Sequence, residues 1–402
     1  AAYEVLLAQS RKPWVSLLGP VFLSLTPRLV GALPADPKDG PFAVLYFTSL
    51  TAVFLMARRP ISPWFKVPAL GLLFGLTTAQ RLVGFTLFLV WPLYEWILWR
   101  WGLKPKARRK GSGARPILIY AGVFFISQLI LAATWPYLAA DYFHRLPELL
   151  KAAKDYPWND PVLFLGREIP ASGLPRTYLP VFLLVTTPLL ALFWFAASFR
   201  ALRKPQADPL WALLGLALGL NLALYLILKP VVYDGLRHFL FLLPLTAVMA
   251  ACGLANLLAR PRAPGRRPLL ALSALLGILA LADMARLHPY EYVYFNELTG
   301  GLKGAQGRFE TDYWGASYKE AVDWVQAQEP PGDTPLWVHS NGNPYQVACY
   351  LNDRTHWTDD LGKADYYLAT TRDGANLSVD PARRVHRVER EGVPLCDVFK
   401  LK

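Results

Sequence analysis

Charged residues and cysteines are both scarce in this chain. Only 18% of the 402 residues are Asp, Glu, Lys or Arg, and only three are Cys, whereas a soluble globular domain carries about 25% charged residues. Intrinsic disorder is also excluded, because disordered segments are poor in aromatic and aliphatic residues, and here 54% of the residues are hydrophobic and 13% aromatic. The composition therefore predicts a folded chain for which water is not the only solvent.

Acidic residues are especially few in the first part of the chain. Residues 1–285 contain 29 Lys and Arg but only 12 Asp and Glu, whereas residues 286–402 contain 13 and 17. Long apolar runs interrupt the basic part and not the acidic part, so the pattern predicts a polytopic membrane region followed by a soluble domain. The basic residues lie in short clusters between apolar runs, where the positive-inside rule accounts for them, so the net charge does not indicate nucleic-acid binding.

Nucleotide-binding and metal-binding motifs are absent from the sequence. Four closely spaced glycines have neither the spacing nor the preceding strand of a phosphate-binding fingerprint; they are Gly300, Gly301, Gly304 and Gly307. No spacing of Cys and His is typical of a metal site. Cys349 and Cys396 fall in the predicted outer domain, where a disulfide would persist, and the sequence leaves open whether they pair.

Nine apolar stretches are long enough, or nearly so, to cross about 30 Å of hydrocarbon. They lie at 14–30, 41–57, 67–80, 82–99, 116–139, 179–199, 210–228, 237–258 and 268–285. Basic residues between alternate stretches, densest at 104–110, predict cytoplasmic loops, and the mixed-charge segments between the others predict outward loops. An odd number of spans from a cytoplasmic start places residues 286–402 outside. The stretch at 67–80 is the shortest, and its loss alone would break this alternation.

Short alternating stretches replace the long apolar runs after Trp324. Period-two patterns predict strands at 336–339, 364–369, 384–388 and 393–401. The segment 343–351, which opens with Asn343 and Pro344, predicts a helix. We therefore expect a transmembrane region over 1–285, an interfacial aromatic and acidic linker over 286–325, and a small extracytoplasmic α/β domain over 326–402.

Charged side chains near membrane depth are candidates for function, because they are costly there. The turn Asp36-Pro-Lys-Asp39 carries two carboxylates and an ammonium, so Lys38 would hold a phosphate while an acid orients a hydroxyl or a metal. Helix capping by an Asp is the alternative. Arg81, which follows Gln80, has a guanidinium that suits phosphate or pyrophosphate, or that snorkels to lipid headgroups.

Two further groups flank later apolar stretches. Arg237 and His238 lie at the start of the stretch 237–258, where a guanidinium beside an imidazole favours an anionic group. Capping of the helix by Asp234 is the alternative. The segments 288–297 and 308–315 are aromatic and acidic. Such segments are typical of a carbohydrate-binding surface, on which sugar rings stack on Tyr and Trp while Asn and Glu bind the sugar hydroxyls. An interfacial membrane anchor is the alternative.

Several of these segments occur together in the order of a known family. They are residues 25–31 with 36–42, 77–84, 162–166 with 174–180, 235–244 and 288–296. Over residues 14–325 the chain resembles bacterial polyprenyl-phosphate-dependent glycosyltransferases of the GT-C superfamily, family 39 type, akin to protein O-mannosyltransferases and aminoarabinose transferases. Residues after 325 fit only as a variable outer appendage.

The resemblance implies a GT-C-like polytopic α-helical membrane protein, with about nine spans present, in the plasma (inner) membrane of a cell envelope. It implies inverting transfer of one sugar from a polyprenyl-phosphate donor to a glycan, lipid or protein acceptor on the extracytoplasmic side. Membrane lipid is a partner and nucleic acid is not. No cofactor is assigned, and a role for a divalent metal stays open.

The resemblance gives the supporting catalytic and phosphate-binding residues, whereas the aromatic and polar chemistry of the side chains gives the acceptor residues. Supporting catalytic roles go to Asp39 and Asp36. The donor phosphate would be received by Lys38, Arg81, Arg237 and His238. Acceptor or sugar binding is assigned to Tyr233, Tyr290, Asn296 and Glu297. We expect the principal catalytic base, an acid of the family's first outer loop, and about two further spans to precede Ala1.

Two other classes of function remain open from the sequence. A lipid or glycan transporter or flippase would also use a polytopic fold with basic residues at its outer mouth. Transporters usually show inverted repeats and polar residues near the bilayer midplane, and neither is evident here. A non-catalytic glycan-binding or assembly protein is the other class, in which the outer α/β domain is the working part.

Overall fold

A computed structural model describes residues 1–59, 61–103, 114–154, 156–200, 208–260, 262, 265–329 and 334–402. Over these residues the chain is mostly helical, with a small sheet region toward the C-terminus. It divides into two compact units. The first comprises Ala1–Trp158, Pro175–Val232 and Leu236–Ala280, and the second comprises Asn159–Leu174, Tyr233–Gly235 and Leu281–Lys402. The basic run predicted at 104–110 lies outside the described residues.

The first unit is built from helices, the last of which continues into residues of the second unit. They are Ala2–Ser10, Pro13–Ser16, Leu18–Ser24, Pro27–Ala35, Asp39–Arg58, Pro63–Gln80, Leu87–Arg100, Ala114–Thr134, Pro136–Ala140, Tyr142–Lys154, Tyr178–Thr186, Leu189–Ser198, Pro209–Leu228, Leu242–Leu258 and Arg266–Leu287. Several begin with proline, whose fixed φ and missing N–H are tolerated in a first helical turn. Short 3₁₀ turns lie at Leu82–Thr86 and Arg237–Phe239.

Among the residues that the structure describes, five helical segments are long and apolar enough to cross a membrane. They are Asp39–Arg58, Leu82–Arg100, Pro116–Thr134, Pro209–Leu228 and Arg266–Leu287. Two bent helix pairs raise the number to seven if each pair is one span. Helices also lie near the two remaining predicted stretches, at Pro63–Gln80 and Leu242–Leu258, but they are not among these candidates. The count of nine spans stays a prediction.

Two of the predicted spans are broken rather than continuous. Pro13–Ser24 meets Pro27–Ala35 at a bend of 64°, and Tyr178–Thr186 meets Leu189–Ser198 at a bend of 113°. A residue before proline is pushed out of the helical region; accordingly Thr26 precedes Pro27 with φ −109° and ψ 91°. Hydrophobicity alone predicts unbroken spans at 14–30 and 179–199. That prediction is wrong, because proline disfavours the helical conformation of the residue before it and the helix bends there.

Polar side chains join the helices inside the first unit. The hydroxyls of Ser49 and Thr77 lie 3.0 Å apart, and those of Tyr46 and Thr86 lie 2.9 Å apart. Asn221 donates a hydrogen bond of 2.8 Å to the Tyr46 hydroxyl. Buried polar groups need such partners, so these bonds hold the helix that begins at Asp39 against its neighbours.

The second unit carries a five-stranded mixed sheet and a separate hairpin. The hairpin strands are β1 (Pro161–Phe164) and β2 (Arg167–Pro170), and the sheet strands are β3 (Leu336–Ser340), β4 (Thr355–Trp357), β5 (Tyr366–Thr370), β6 (Arg384–Arg390) and β7 (Val393–Lys400). The sheet order is β4-β3-β5-β7-β6, with β3 parallel to β4 and β5, and β7 antiparallel to β5 and β6. The helices of this unit are Gly301–Ala305, Tyr318–Gln328 and Tyr345–Ala348.

Four sheet strands lie where alternating residues predict them, but other elements of this unit differ from the prediction. The helix predicted at 343–351 is only one turn, Tyr345–Ala348, and β4 is a three-residue strand too short to leave a periodic signal. Cys349 and Cys396 are both free, the first exposed and the second buried. The two cysteines therefore form no disulfide in this structure.

The hairpin β1–β2 is attached to the segment that follows Gly301–Ala305. Its turn is Leu165-Gly166, with φ values of 53° and 80°, the left-handed conformation that a two-residue hairpin turn requires. The N–H of Gly166 donates to the carbonyl of Arg308 at 3.0 Å, and Phe164 pairs with Phe309 across an antiparallel bridge. These contacts bring residues 161–168 beside residues 306–313.

Candidate functional site: an ionic cluster in the first unit

Charged residues from three separate segments of the first unit converge on one carboxylate. Arg81 Nε lies 2.7 Å from Asp39 Oδ1, and Arg237 Nε lies 3.7 Å from Asp39 Oδ2. We call Asp36, Lys38, Asp39, Arg81 and Arg237 the ionic cluster. All five were singled out from the sequence as candidate site residues, although Arg81 and Arg237 are far from Asp39 along the chain.

The turn before the helix Asp39–Arg58 is held by its own side chains. Asp36 Oδ1 accepts hydrogen bonds from the backbone N–H groups of Lys38 at 2.8 Å and of Asp39 at 2.9 Å. Gln80 Nε2 donates to the carbonyl of Lys38 at 3.1 Å, which ties the turn to the end of the helix Pro63–Gln80. Asp36 thus holds the turn, but the N-cap of the helix Asp39–Arg58 is Lys38 and not an Asp, so the capping alternative is wrong in that respect.

Arg81 and Arg237 both lie at breaks in helical structure. Arg81 is extended, with φ −153° and ψ 136°, between the helix Pro63–Gln80 and a 3₁₀ turn. Its Nη1 donates to the carbonyl of His238 at 3.4 Å. Phe241 packs against Phe42, with ring centroids 5.1 Å apart. These contacts fix the segment around Arg237 against the start of the helix that carries Asp39.

The charge balance of the ionic cluster favours an anion. Asp36 and Asp39 are 7% and 2% exposed, and buried carboxylates are stable only with charged or hydrogen-bonded partners. Two acids face three cations, so the cluster retains a formal charge of about +1. Such a surplus at the end of an apolar helix suits a phosphate group.

Two members of the ionic cluster lie outside the candidate spans and have shifted pKa values. Burial raises the pKa of Asp36, but hydrogen bonds with Asp39 and from the N–H of Lys38 outweigh this, so its pKa lies below the usual value. Burial and the guanidinium of Arg81 lower the pKa of Lys38. Asp36 is therefore ionised at neutral pH. A bound anion would reduce the repulsion between the Lys38 ammonium group and the nearby guanidinium of Arg81.

No protein-family model and no curated protein sequence matches this chain. The resemblance to GT-C glycosyltransferases therefore depends on the sequence segments given above. Within the described ranges, no group of three or more His, Cys, Asp or Glu side chains is arranged to hold a metal ion.

The residues predicted to bind acceptor or sugar lie in the second unit. Tyr290 is 3% exposed; its hydroxyl donates to Glu320 Oε2 at 2.8 Å, and the Arg390 guanidinium lies 4.5 Å from its ring centroid. Asn296 is fully buried. Tyr233 is partly exposed, and Glu297 is exposed. Their assignment to an acceptor stays a prediction, but Tyr290 and Asn296 already have partners inside this unit.

His238, the remaining predicted phosphate ligand, is half-buried beside Arg237. Its carbonyl, rather than its ring, provides the described contact with Arg81. Sequence reasoning missed the hydrogen-bonded group of Tyr46, Thr86 and Asn221, whose member Tyr46 lies in the helix that begins at Asp39. Asn221 was the available signal, because an amide within an apolar stretch is costly unless it has a partner.

Proposed function

We propose that this chain is a membrane glycosyltransferase of the GT-C type, which transfers one sugar from a polyprenyl-phosphate donor to a hydroxyl group on the extracytoplasmic side. The convergence of Arg81 and Arg237 on Asp39 supports this proposal most strongly. It brings basic groups to the end of the candidate span Asp39–Arg58. A lipid-linked donor keeps its tail in the bilayer and its phosphate at such a boundary.

The proposed reaction is a single displacement at the anomeric carbon of the donor sugar. The acceptor hydroxyl oxygen attacks the anomeric carbon, and the bond between that carbon and the phosphate oxygen breaks. The departing polyprenyl phosphate takes the electron pair, and the hydroxyl proton passes to a general base. Inversion at the anomeric carbon follows from a single displacement. We assign no residue of the described chain as that base.

The cations of the ionic cluster would stabilise the leaving group. Negative charge grows on the phosphate as the bond breaks, and preorganised cations lower the free energy of that transition state. Arg81 and Arg237 would do this directly, with Lys38 beside them. Asp39 would act as a positioning residue, because its carboxylate lies between the two guanidiniums and limits their movement.

The first experiment uses the full chain in lipid nanodiscs, with undecaprenyl-phosphate mannose labelled in the sugar as the donor probe and a cell-envelope fraction as the acceptor. Arg81→Ala and Arg237→Ala should each lower sugar transfer by about 100-fold, the size expected when a preorganised donor to developing charge is removed. Arg100→Ala is the matched control, since Arg100 is exposed at the end of another helix of the same unit.

The same preparation separates transfer from transport. A fluorescent undecaprenyl phosphate that crosses the bilayer in reconstituted vesicles, without any sugar transfer, would replace the transferase proposal by a flippase. Equal transfer by the parent chain, Arg81→Ala and Arg237→Ala would remove the ionic cluster from the mechanism.

A further inference from the structure

A cavity of about 310 Å³ lies within the second unit. Its walls come from the hairpin β1–β2, residues 306–313 and residues 371–377, with a contribution from the start of β7. This volume falls at the lower end of the range of about 300–1,000 Å³ that is usual for small-molecule sites. The cavity therefore has room for one small ligand, and none of its lining residues belongs to the ionic cluster.

A buried carboxyl group lines this cavity without full hydrogen bonding. Glu310 is 9% exposed, and its Oε2 has no hydrogen-bond partner among the residues that the structure describes. Leaving a buried polar atom unpaired costs about 1–3 kcal/mol. A ligand that supplied a hydroxyl group would remove this cost.

The arginine that lines the cavity is already engaged. Arg372 Nη2 lies 3.1 Å from Asp234 Oδ1, and Arg372 Nη1 donates to the carbonyl of Tyr313 at 3.2 Å. The rim also carries the exposed acids Glu168 and Asp373. A phosphate or carboxylate ligand would meet these acids, and Arg372 is the only cation among the cavity-lining residues that the structure describes, so the charges disfavour an anion.

Glu310 itself is suited to a neutral partner. Burial and the carboxylate of Asp234 raise the pKa of Glu310 to about 8, although the Arg372 guanidinium opposes them. The neutral acid therefore predominates at pH 7, and a protonated carboxyl group both donates and accepts hydrogen bonds. A sugar hydroxyl has the same two capacities, whereas an ammonium group can only donate.

The remaining walls offer apolar surface and further polar groups. Phe309 and Tyr313 line the cavity with Pro394, and the lining also includes Asn376 and Thr371, whose side chains are held by Asp397 and Thr311. Sites of this kind, largely apolar with a few fixed polar groups, orient a small ligand through those groups. A sugar ring matches them, because its C–H faces are apolar and its edge carries hydroxyls.

We propose that this cavity binds a neutral, hydroxylated sugar unit through a hydrogen bond between a ring hydroxyl and Glu310. The site is distinct from the residues assigned above to donor and acceptor. It does not depend on the transferase proposal, since a glycan-binding protein would use it equally.

The test is saturation-transfer NMR on the full chain in nanodiscs. The neutral probes are D-mannose, D-glucose and D-galactose; D-glucosamine and D-glucose 6-phosphate carry opposite charges. At least one neutral sugar should give a saturable signal, and neither charged sugar should bind more tightly. Glu310→Gln should bind within about twofold of the parent, because an amide also donates and accepts, whereas Glu310→Leu should bind at least tenfold more weakly.

Two further variants separate loss of sugar binding from loss of folding. Gln306→Trp places a large side chain at an exposed lining position and should abolish the signal while leaving Glu310 in place. Glu389→Leu changes an exposed glutamate of β6 outside the cavity and should bind like the parent. No saturable neutral-sugar signal, tighter binding of a charged sugar, or parental binding by either Gln306→Trp or Glu310→Leu would each overturn the proposal.

Failure of the sugar-binding proposal can be distinguished from failure of the transferase proposal. Loss of the sugar signal in Gln306→Trp tests the cavity alone, whereas transfer from undecaprenyl-phosphate mannose by Arg81→Ala tests the ionic cluster alone. Either proposal can fail while the other stands.

Discussion

The two units of this molecule each bury a carboxyl group, and they do so in opposite ways. In the first unit, Asp39 is 2% exposed and lies 2.7 Å from Arg81 and 3.7 Å from Arg237. In the second, Glu310 is 9% exposed and one of its oxygens has no partner among the described residues. A buried acid is tolerated either beside cations or as the neutral form. The first arrangement suits an anionic ligand and the second a neutral one.

A third buried carboxylate shows that pairing alone does not indicate a ligand site. Asp397 in β7 is 1% exposed and accepts two hydrogen bonds from Arg387, at 2.6 Å and 3.0 Å. Asn376 donates to it as well, at 3.2 Å. Here a single acid is satisfied within the sheet, whereas the ionic cluster has more cations than acids. The surplus charge, rather than the ion pair, supports the proposed phosphate site.

Breaking the structural pair should give the largest effect on stability. Arg387→Ala leaves Asp397 buried without its main partner, which should lower the free energy of unfolding of the second unit by about 3 kcal/mol. Maleimide labelling of the buried Cys396 in increasing urea reports this opening, once Cys349 and Cys252 have been replaced by Ser. Arg384→Ala is the matched control, because its guanidinium lies 3.9 Å from Asp397 and should cost less than about 1 kcal/mol. Equal costs for the two variants would contradict the distinction.

Neutralising the ionic pair tests whether Asp39 positions the two guanidiniums. Asp39→Asn keeps the shape of the side chain but removes its charge, so Arg81 and Arg237 should lose their fixed geometry. Transfer from undecaprenyl-phosphate mannose should fall by about 100-fold. Binding of undecaprenyl phosphate, measured by native mass spectrometry, should not weaken, since the cluster becomes more positive. Weaker phosphate binding by Asp39→Asn than by Arg237→Ala would refute the assigned roles.

Changing Glu310 to Gln should produce a pH-dependent gain in stability. The pKa of Glu310 is raised to about 8 by burial and by the carboxylates of Asp234 and Asp373, with Arg372 opposing them. Above pH of about 4.5 the unfolded chain releases this proton while the folded chain retains it, so stability falls as the pH rises toward 8 and then levels off. Glu310→Gln lacks this loss and should gain about 2–3 kcal/mol on the parent between pH 5 and pH 8.

Thermal unfolding followed by tryptophan fluorescence at pH 5, 6, 7 and 8 measures this gain. The difference in midpoint between Glu310→Gln and the parent should widen with pH. Glu389→Gln, at an exposed position, should show a constant difference. A constant difference for Glu310→Gln would mean that the buried carboxyl is already ionised in the folded chain.

Removing a neutral buried partner should have the smallest effect. Tyr46→Phe deletes the hydroxyl that contacts Thr86 at 2.9 Å and accepts from Asn221 at 2.8 Å. The expected loss is about 1 kcal/mol, since Asn221 keeps its bond to the carbonyl of Ala217. The thermal midpoint of the full chain in nanodiscs measures it. A loss as large as that of Arg387→Ala would show that neutral hydrogen bonds, and not ion pairs, dominate the buried polar network.

Elements with a strong local pattern were predictable from the sequence. The helix Asp39–Arg58 follows from an apolar run, and β7 follows from alternation near the C-terminus. The strand β4 has only three residues, and the hairpin β1–β2 depends on contacts with residues 308 and 309. Neither carries enough residues for a periodic signal, so their strand state comes from pairing with distant segments.

The candidate site was predictable as a set of residues but not as an arrangement. Asp39, Arg81 and Arg237 stand out because charge is costly near membrane depth. The cavity in the second unit was not predicted as a site, because its walls come from four segments that have no common motif. Glu310 lies in the aromatic and acidic segment 308–315, but its burial depends on the hairpin packed beside it.

The sequence by itself determined the apolar helices, the basic and acidic parts of the chain and most strands of the second unit, because periodicity and charge act between near neighbours. Only the tertiary structure decided that Arg81 and Arg237 meet at Asp39, and that Glu310 is enclosed with one oxygen unpaired. The physical reason is that burial and ion pairing are set by residues far apart in the chain. Hydrophobic packing brings those residues together without leaving a local pattern.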